Sequence, residues 1–383
     1  MDAMRRTLLL AALLAHSFAD SAGAAQGGKL RVFVLAGQSN MEGKGFPEPL
    51  AWQVTQPQYR ERYTAYIEDG DHEAFTRALA ASLAEDPARP EYRWSVREDV
   101  FIDFLGKRGG LSVGYGVPSK GFGPELGFGH VVGDHLDDPV LIIKAAWGGK
   151  SLGCDFLSPS AQQPTREELE AIAAQETERA RQRAEQDGKE PGPPVTVDAV
   201  RERYGHYYRE TLRLVHENLT ELDTRFPELR GRTPELAGFV WFQGWNDQFN
   251  PEWSARYAAN LAALIADIRK DLGAPELPVV VGQVGFDGEN EPRSDEHGAP
   301  TARTRIQQAQ LAAGELDGVV VVQTAQYWDR DAHAIYHGPG GWQADVEKWR
   351  QFGNDRPYHY LGSPWFFSQA GRGFGEALLA LSK

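Results

Sequence analysis

Residues 29–43, KLRVFVLAGQSNMEG, constrain the fold of this chain more than any other stretch. Residues 30–34 are mostly branched or aromatic and carry one charge, Arg31. Such a run reads as a strand buried on both faces, the usual signature of a parallel sheet. It breaks at Gly37 into Gln38-Ser39-Asn40, a polar turn at the strand's C-terminal end. In open α/β sheets that end is where chemistry is placed. A serine there can meet backbone N–H groups of a following helix. The same spacing fits a serine that only caps a helix, so the rest of the chain has to decide.

Two further stretches repeat the pattern. Residues 139–146, PVLIIKAA, run into Trp147-Gly148-Gly149-Lys150-Ser151, and residues 236–242 run into Gln243-Gly244-Trp245-Asn246-Asp247. Residues 100–104, 278–281 and 319–323 read as shorter strands. Helical spacing appears over 66–83, 165–190, 198–225, 251–271, 301–315 and 368–381. Strands alternating with helices predict a doubly wound α/β fold. The glycine-rich stretch 109–129 reads as tight turns and not as a core element. A single domain over 29–383 is expected, with polar surface insertions at about 51–95 and 155–197.

Residues 1–25 have the form of a cleaved secretory signal: Arg5 and Arg6, an apolar run over 7–15, then Ala22-Gly23-Ala24. No later stretch is long and apolar enough for a membrane helix. A soluble product, secreted or periplasmic, is therefore expected. Cys154 is the single cysteine, so no internal disulfide can form, and a 41% hydrophobic composition supplies a core instead. The formal net charge of −14 argues against nucleic acid and anionic membranes as partners. A neutral sugar polymer meets no such objection.

Three polar turns at strand ends would converge on one crevice, and their chemistry suggests acyl transfer. Ser39 is the candidate nucleophile. Its own amide, the amide of Gly148 or Gly149 and the side chain of Asn246 are candidate donors to an oxyanion. A base must come from the ten histidines. His16 lies in the signal, and His130, His135, His206 and His216 fall in glycine turns or helical stretches. His333 and His337 are four apart, but HAIYH lacks the glutamate of a zinc-protease helix, and neither metal nor cofactor is expected. His359 in NDRPYHYLGSP is better placed, with Asp355 four residues before it to hold the other ring nitrogen. The Ser39 turn carries Met41 where an α/β-hydrolase elbow needs its second glycine, which excludes that fold.

GQSNM, the central glycine turn and Gly244-Trp245-Asn246-Asp247 resemble blocks I to III of the SGNH hydrolases. More narrowly, LAGQSNMEG, GPELGFG, KAAWGGKSL and WFQGWND resemble the sialate O-acetylesterase-like branch, which also holds carbohydrate acetylesterases. The resemblance implies a three-layer α/β/α sandwich with a flavodoxin-like parallel sheet of about five strands. It also implies a metal-free serine esterase that removes acetyl groups from sugars, xylan or sialic acid among them. Ser39, His359 and Asp355 would be catalytic; Ser39, Gly148, Gly149 and Asn246 would form the oxyanion hole. Gln38, Gln243, Trp147 and Trp245 are expected against the substrate, tryptophan faces being suited to sugar rings. In that branch the final aspartate usually lies three residues before the histidine, where this chain has Arg356. Asp329 and Asp331 are therefore alternative acids. Trp245 stands where many relatives have glutamate. Two other functions fit the same residues: a lipase or thioesterase of the superfamily, and a non-catalytic carbohydrate-binding protein.

Overall fold

The computed structural model describes residues 27–118, 120–288 and 292–381. The expected signal at 1–25 lies outside the described residues. Seven strands form one sheet: β1 (Lys29–Gly37), β2 (Val100–Phe104), β3 (Lys107–Gly110), β4 (Val140–Ala146), β5 (Thr233–Phe242), β6 (Val279–Gln283) and β7 (Val319–Gln323). Their order is β3-β2-β4-β1-β5-β6-β7, and every neighbouring pair is parallel except β2–β3. Within it, β4-β1-β5-β6-β7 has the flavodoxin-like order, with the chain's first strand at the reversal point.

The sheet is thus larger than the five strands expected, because β2 and β3 extend it beyond β4. β3 reads KRGG, and only its Gly109-Gly110 falls within the stretch assigned to turns. It is a half-exposed antiparallel edge strand, and such strands carry no apolar run to reveal them.

Helices flank the sheet. The nucleophile turn is α1 (Ser39–Glu42), followed by α2 (Pro47–Thr55), α3 (His72–Glu85), α4 (Pro124–His135), α5 (Arg166–Gln186), α6 (Val197–Arg203), α7 (His206–Thr220), α8 (Pro251–Asp271), α9 (Ala302–Ala312), α10 (Arg330–Tyr336) and α11 (Pro364–Leu381). α11 packs along α4 and touches β6 and β7; α7 packs on β4, and α8 on α9. The helix expected over 198–225 is broken at Tyr204-Gly205.

Most of the stretch 55–95 is exposed or half-buried, yet four of its residues reach inward. Tyr63, Tyr66, Ile67 and Phe75 are buried in the main core, and the Tyr66 hydroxyl bonds Ser368 of α11. Its charged residues mask aromatic anchors spaced between them. In the stretch 155–197, Leu169 and Ala173 of α5 join Val200 in a small cluster apart from the main core. The outer face of α5 is laced by ion pairs such as Arg166–Glu170 and Arg181–Glu178.

Register sets the site. Gly37 of β1 pairs with Ala146 of β4 and Phe242 of β5, so three strands end level. Trp147 N donates to Gly37 O at 3.2 Å and Gln38 N to Phe242 O at 3.4 Å, tying the three following turns side by side. A Cβ on Gly37 would stand 2.1 Å from Phe242 O, so only glycine lets the chain turn this close to β5.

Candidate active site

Ser39 opens α1 directly above that glycine. Gln38, not Ser39, occupies the N-cap position, and no side-chain cap bond is made there. The capping role therefore does not account for the serine. Its hydroxyl lies 3.0 Å from His359 Nε2 instead. On the far side of the ring, Nδ1 lies 3.0 Å from Asp355 Oδ2. An ionised carboxylate only accepts, so Nδ1 carries the proton and Nε2 is left to accept from the Ser39 hydroxyl. Both His359 and Asp355 keep about a fifth of their side-chain surface exposed, so the pair is accessible from solvent.

The four-residue spacing from Asp355 to His359 is absorbed by an unusual turn. The Arg356 carbonyl accepts from both His359 N (2.9 Å) and Leu361 N (3.0 Å). Tyr360, Leu361 and Gly362 then run left-handed, with φ of 50°, 63° and 67°. Two consecutive non-glycine residues in that region cost on the order of 1–2 kcal/mol each. Burial holds them there: Tyr360 stacks on Phe366 with centroids 3.5 Å apart, and its hydroxyl accepts from Gly285 N at 3.1 Å. Asn40 Nδ2 adds a strap to Tyr358 O at 3.1 Å, fastening the histidine turn to the serine turn.

The alternative acids are occupied elsewhere. Asp329 caps α10 by accepting from Asp331 N and Ala332 N, and it also accepts from Ser363 Oγ. Asp331 takes the Tyr59 hydroxyl at 3.4 Å. His333 and His337 lie 4.5 Å apart between ring centroids. Among the described residues no group of three or more His, Cys, Asp or Glu side chains is placed to hold a metal.

The proposed donors come from the turns after β1, β4 and β5. The amides of Ser39, Gly148 and Gly149 have no hydrogen-bond partner among the described residues. Gly149 turns left-handed (φ 72°), and a Cβ on it would meet nothing within 4 Å, so this turn borders open space. Asn246 is oriented by Gln38. Gln38 Oε1 accepts from Gly244 N (3.1 Å) and Trp245 N (3.0 Å), while its Nε2 donates to Asn246 Oδ1 at 3.0 Å. With its oxygen held there, Asn246 must turn its NH₂ the other way. One proton goes to Gly149 O at 3.0 Å and the second is left for a ligand.

This corrects the expectation for two residues. Gln38 and Gln243 are each 1% exposed, so they hold the loop and do not face substrate. Gln243 donates to Asp247 Oδ2 and Lys150 O and accepts the Tyr257 hydroxyl at 2.9 Å. Trp147 packs against Tyr207 and Phe156 beside the glycine turn, and Trp245 stacks on Tyr358 beside the histidine.

Three supports escaped the reading of the sequence. One is Asn40, already described. Another is Asp247, which accepts from Leu152 N (3.0 Å), Gly153 N (2.8 Å) and Gln243, bracing the turn after β4 against the turn after β5. Burial pushes its carboxyl up to about 6, against the pull of those three donors. The third is the buried pair Lys144–Glu125 at 2.6 Å; Lys144 Nζ also donates to Glu42 O, the last carbonyl of α1. Asn40 and Asp247 adjoin the motif residues, while Lys144 and Glu125 stand inside KAAWGG and GPELG. A charged residue within an apolar strand was the available signal.

Serine, imidazole and carboxylate in a hydrogen-bonded row, with unpaired N–H groups on the neighbouring turns at the switch point of a parallel sheet, define an esterase-type hydrolase site. The sequence family described as carbohydrate esterase, sialic acid-specific acetylesterase matches residues 29–177 and 199–337. The match spans more than half of the chain, and the protein belongs to that family. It takes in Ser39, Gly148, Gly149 and Asn246 and stops before Asp355 and His359. No curated protein matches the chain by sequence. Among solved structures it is similar to a protein from Arabidopsis thaliana, at 15% identity and a TM-score of 0.48, covering 91% of this chain and 98% of that one. A carbohydrate acetylesterase from Xanthomonas citri gives 12% identity and a TM-score of 0.40, covering 90% of this chain and 55% of that one. NanS gives 13% identity and a TM-score of 0.44, covering 92% and 98%.

Proposed function

We propose that the protein is an exported serine esterase that removes O-acetyl groups from a neutral carbohydrate polymer such as xylan. The observation that carries the chemistry is the row Ser39 Oγ, His359, Asp355, with both links at 3.0 Å. Ser39 Oγ attacks the acetyl carbonyl while His359 Nε2 takes its proton. The tetrahedral oxyanion is received by the amides of Ser39 and Gly148 or Gly149 and by Asn246 Nδ2. His359 returns the proton to the departing sugar oxygen, leaving an acetyl-Ser39 ester. Water activated by the same imidazole then releases acetate. Asp355 holds the ring in the tautomer that both half-reactions require.

Export is supported by the composition of residues 1–25. A neutral sugar is supported by charge. The chain is acidic overall, and the lysines nearest the site are engaged by carboxylates: Lys44 with Glu42 at 3.3 Å and Lys150 with Asp155 at 3.6 Å. A sialoside would bring its own carboxylate to these already satisfied cations.

The test is acetate release across acetylated xylan, mannan, pectin and O-acetyl sialosides, alongside aryl esters of increasing acyl length. The highest kcat/KM is expected on acetylated xylan or mannan, with activity falling beyond short acyl groups. A clear preference for sialosides, or for long acyl chains, would contradict the substrate assignment.

A further inference from the structure

Among the described residues only two Phe, Tyr or Trp side chains are exposed: Phe249 at 68% and Tyr358 at 36%. They are far apart in sequence, yet both pack on one ring. Tyr358 stacks on Trp245 with centroids 5.1 Å apart and planes at 27°, and Phe249 meets the same indole edge-on at 5.6 Å. Buried Phe286 also meets that indole edge-on, at 4.7 Å. Tyr358 in turn lies 4.5 Å from the His359 ring. A strip of three rings thus begins at the imidazole and runs out to solvent.

The position of the strip decides what it faces. On the reading proposed above, His359 protonates the departing oxygen, so the leaving sugar lies on the histidine side. The acyl carbonyl lies toward the amides of Ser39, Gly148 and Gly149. A strip that starts against His359 therefore continues along the sugar and not along the acyl chain. Pyranose rings present a C–H face that packs on aromatic rings while the hydroxyls stay in water. Phe249 has no polar atom to satisfy and offers only an apolar surface, which such a face would cover.

We propose that Tyr358, Trp245 and Phe249 form a stacking subsite for the sugar ring next to the acetylated one, which makes an oligosaccharide the preferred substrate over a monosaccharide. This rests on the esterase reading for the direction of the leaving group. It assigns Phe249 as a specificity residue that never approaches the reacting atoms.

The experiment compares wild type with Phe249→Ala, a substitution at an exposed position, on acetylated xylotetraose and on 4-nitrophenyl acetate. The ratio of kcat/KM for the tetraose to that for the aryl ester is expected to fall about tenfold, through KM, the loss of roughly one ring contact. In parallel, unacetylated xylotetraose is titrated into Ser39→Ala with and without Phe249→Ala, following tryptophan fluorescence. A similar weakening of Kd is expected. An unchanged ratio with unchanged Kd overturns the subsite, as does a variant that loses discrimination between acyl lengths while keeping its preference for the tetraose. Should Ser39→Ala remain active, the esterase reading fails on its own, and the titration still reports whether the rings bind sugar.

Discussion

At the scale of single residues, the three candidate carboxylates differ in what each already touches. Asp355 spends Oδ2 on His359 Nδ1 and Oδ1 on Arg356 N, whereas Asp329 is occupied by two α10 amides and a serine hydroxyl. Replacing Asp355 with alanine leaves the imidazole free to adopt the wrong tautomer. The expected loss in kcat on an aryl acetate is about 10³-fold or more, with little change in unfolding midpoint. Asp329→Ala should do the reverse, lowering stability by about 1–2 kcal/mol through the lost cap while kcat of the folded protein persists. Steady-state kinetics paired with denaturant unfolding of the two variants separates the roles. Ser39 and His359 were legible in the sequence because strand-end turns and an isolated late histidine leave few alternatives. Asp355 was legible only as one option of three, since a turn with two consecutive left-handed non-glycine residues has no sequence signature. Gln38 and Gln243 were misplaced for a related reason. A polar residue in a site loop looks the same whether it faces substrate or the loop's own amides.

At the scale of elements, the site depends on how β4 holds α1. Lys144 lies within a fully buried strand, and its ammonium reaches Glu125 of α4, Tyr115 O and Glu42 O, each at 2.6 Å. Burial opposes both charges, lowering the lysine and raising the glutamate, and their mutual attraction works against it. Removing one partner should be worse than removing both. Lys144→Met is expected to destabilise by about 3–5 kcal/mol, and Lys144→Met with Glu125→Leu by less. A double-mutant cycle by urea unfolding checks this, and additive losses would contradict it. Strands β1, β4 and β5 were readable because burial on both faces forces continuous apolar runs. β3 was not, because an edge strand of charge and glycine needs only backbone partners.

For the whole molecule, the aromatic anchors of 51–95 make that stretch part of one core with α11, a connection that its local composition concealed. His130 of α4 lies in this region, 4.9 Å from the Tyr66 ring, and burial followed by the nearby Arg97 guanidinium depresses it to about 4. The folded state therefore excludes a proton that the unfolded chain accepts below about 6.5. Its contribution is fully present above that pH and declines as pH falls toward 4, by about 3 kcal/mol in all. Asp247 works in the opposite sense, its raised carboxyl favouring the fold at lower pH, so only a difference isolates the histidine. Unfolding free energies of wild type and His130→Gln, measured from pH 7 to 4.5, should converge as pH falls; parallel curves would contradict the assignment.

In the proposed mechanism Ser39 carries the acyl group. It is tested most directly by treating the protein with a fluorophosphonate and mapping the adduct by mass spectrometry, with acetate release from acetylated xylan followed in the same samples. A single adduct on Ser39, stoichiometric loss of acetate release, and neither labelling nor turnover in Ser39→Ala are predicted. Turnover by Ser39→Ala at more than a small fraction of the wild-type rate, or an adduct elsewhere that abolishes activity, would contradict it.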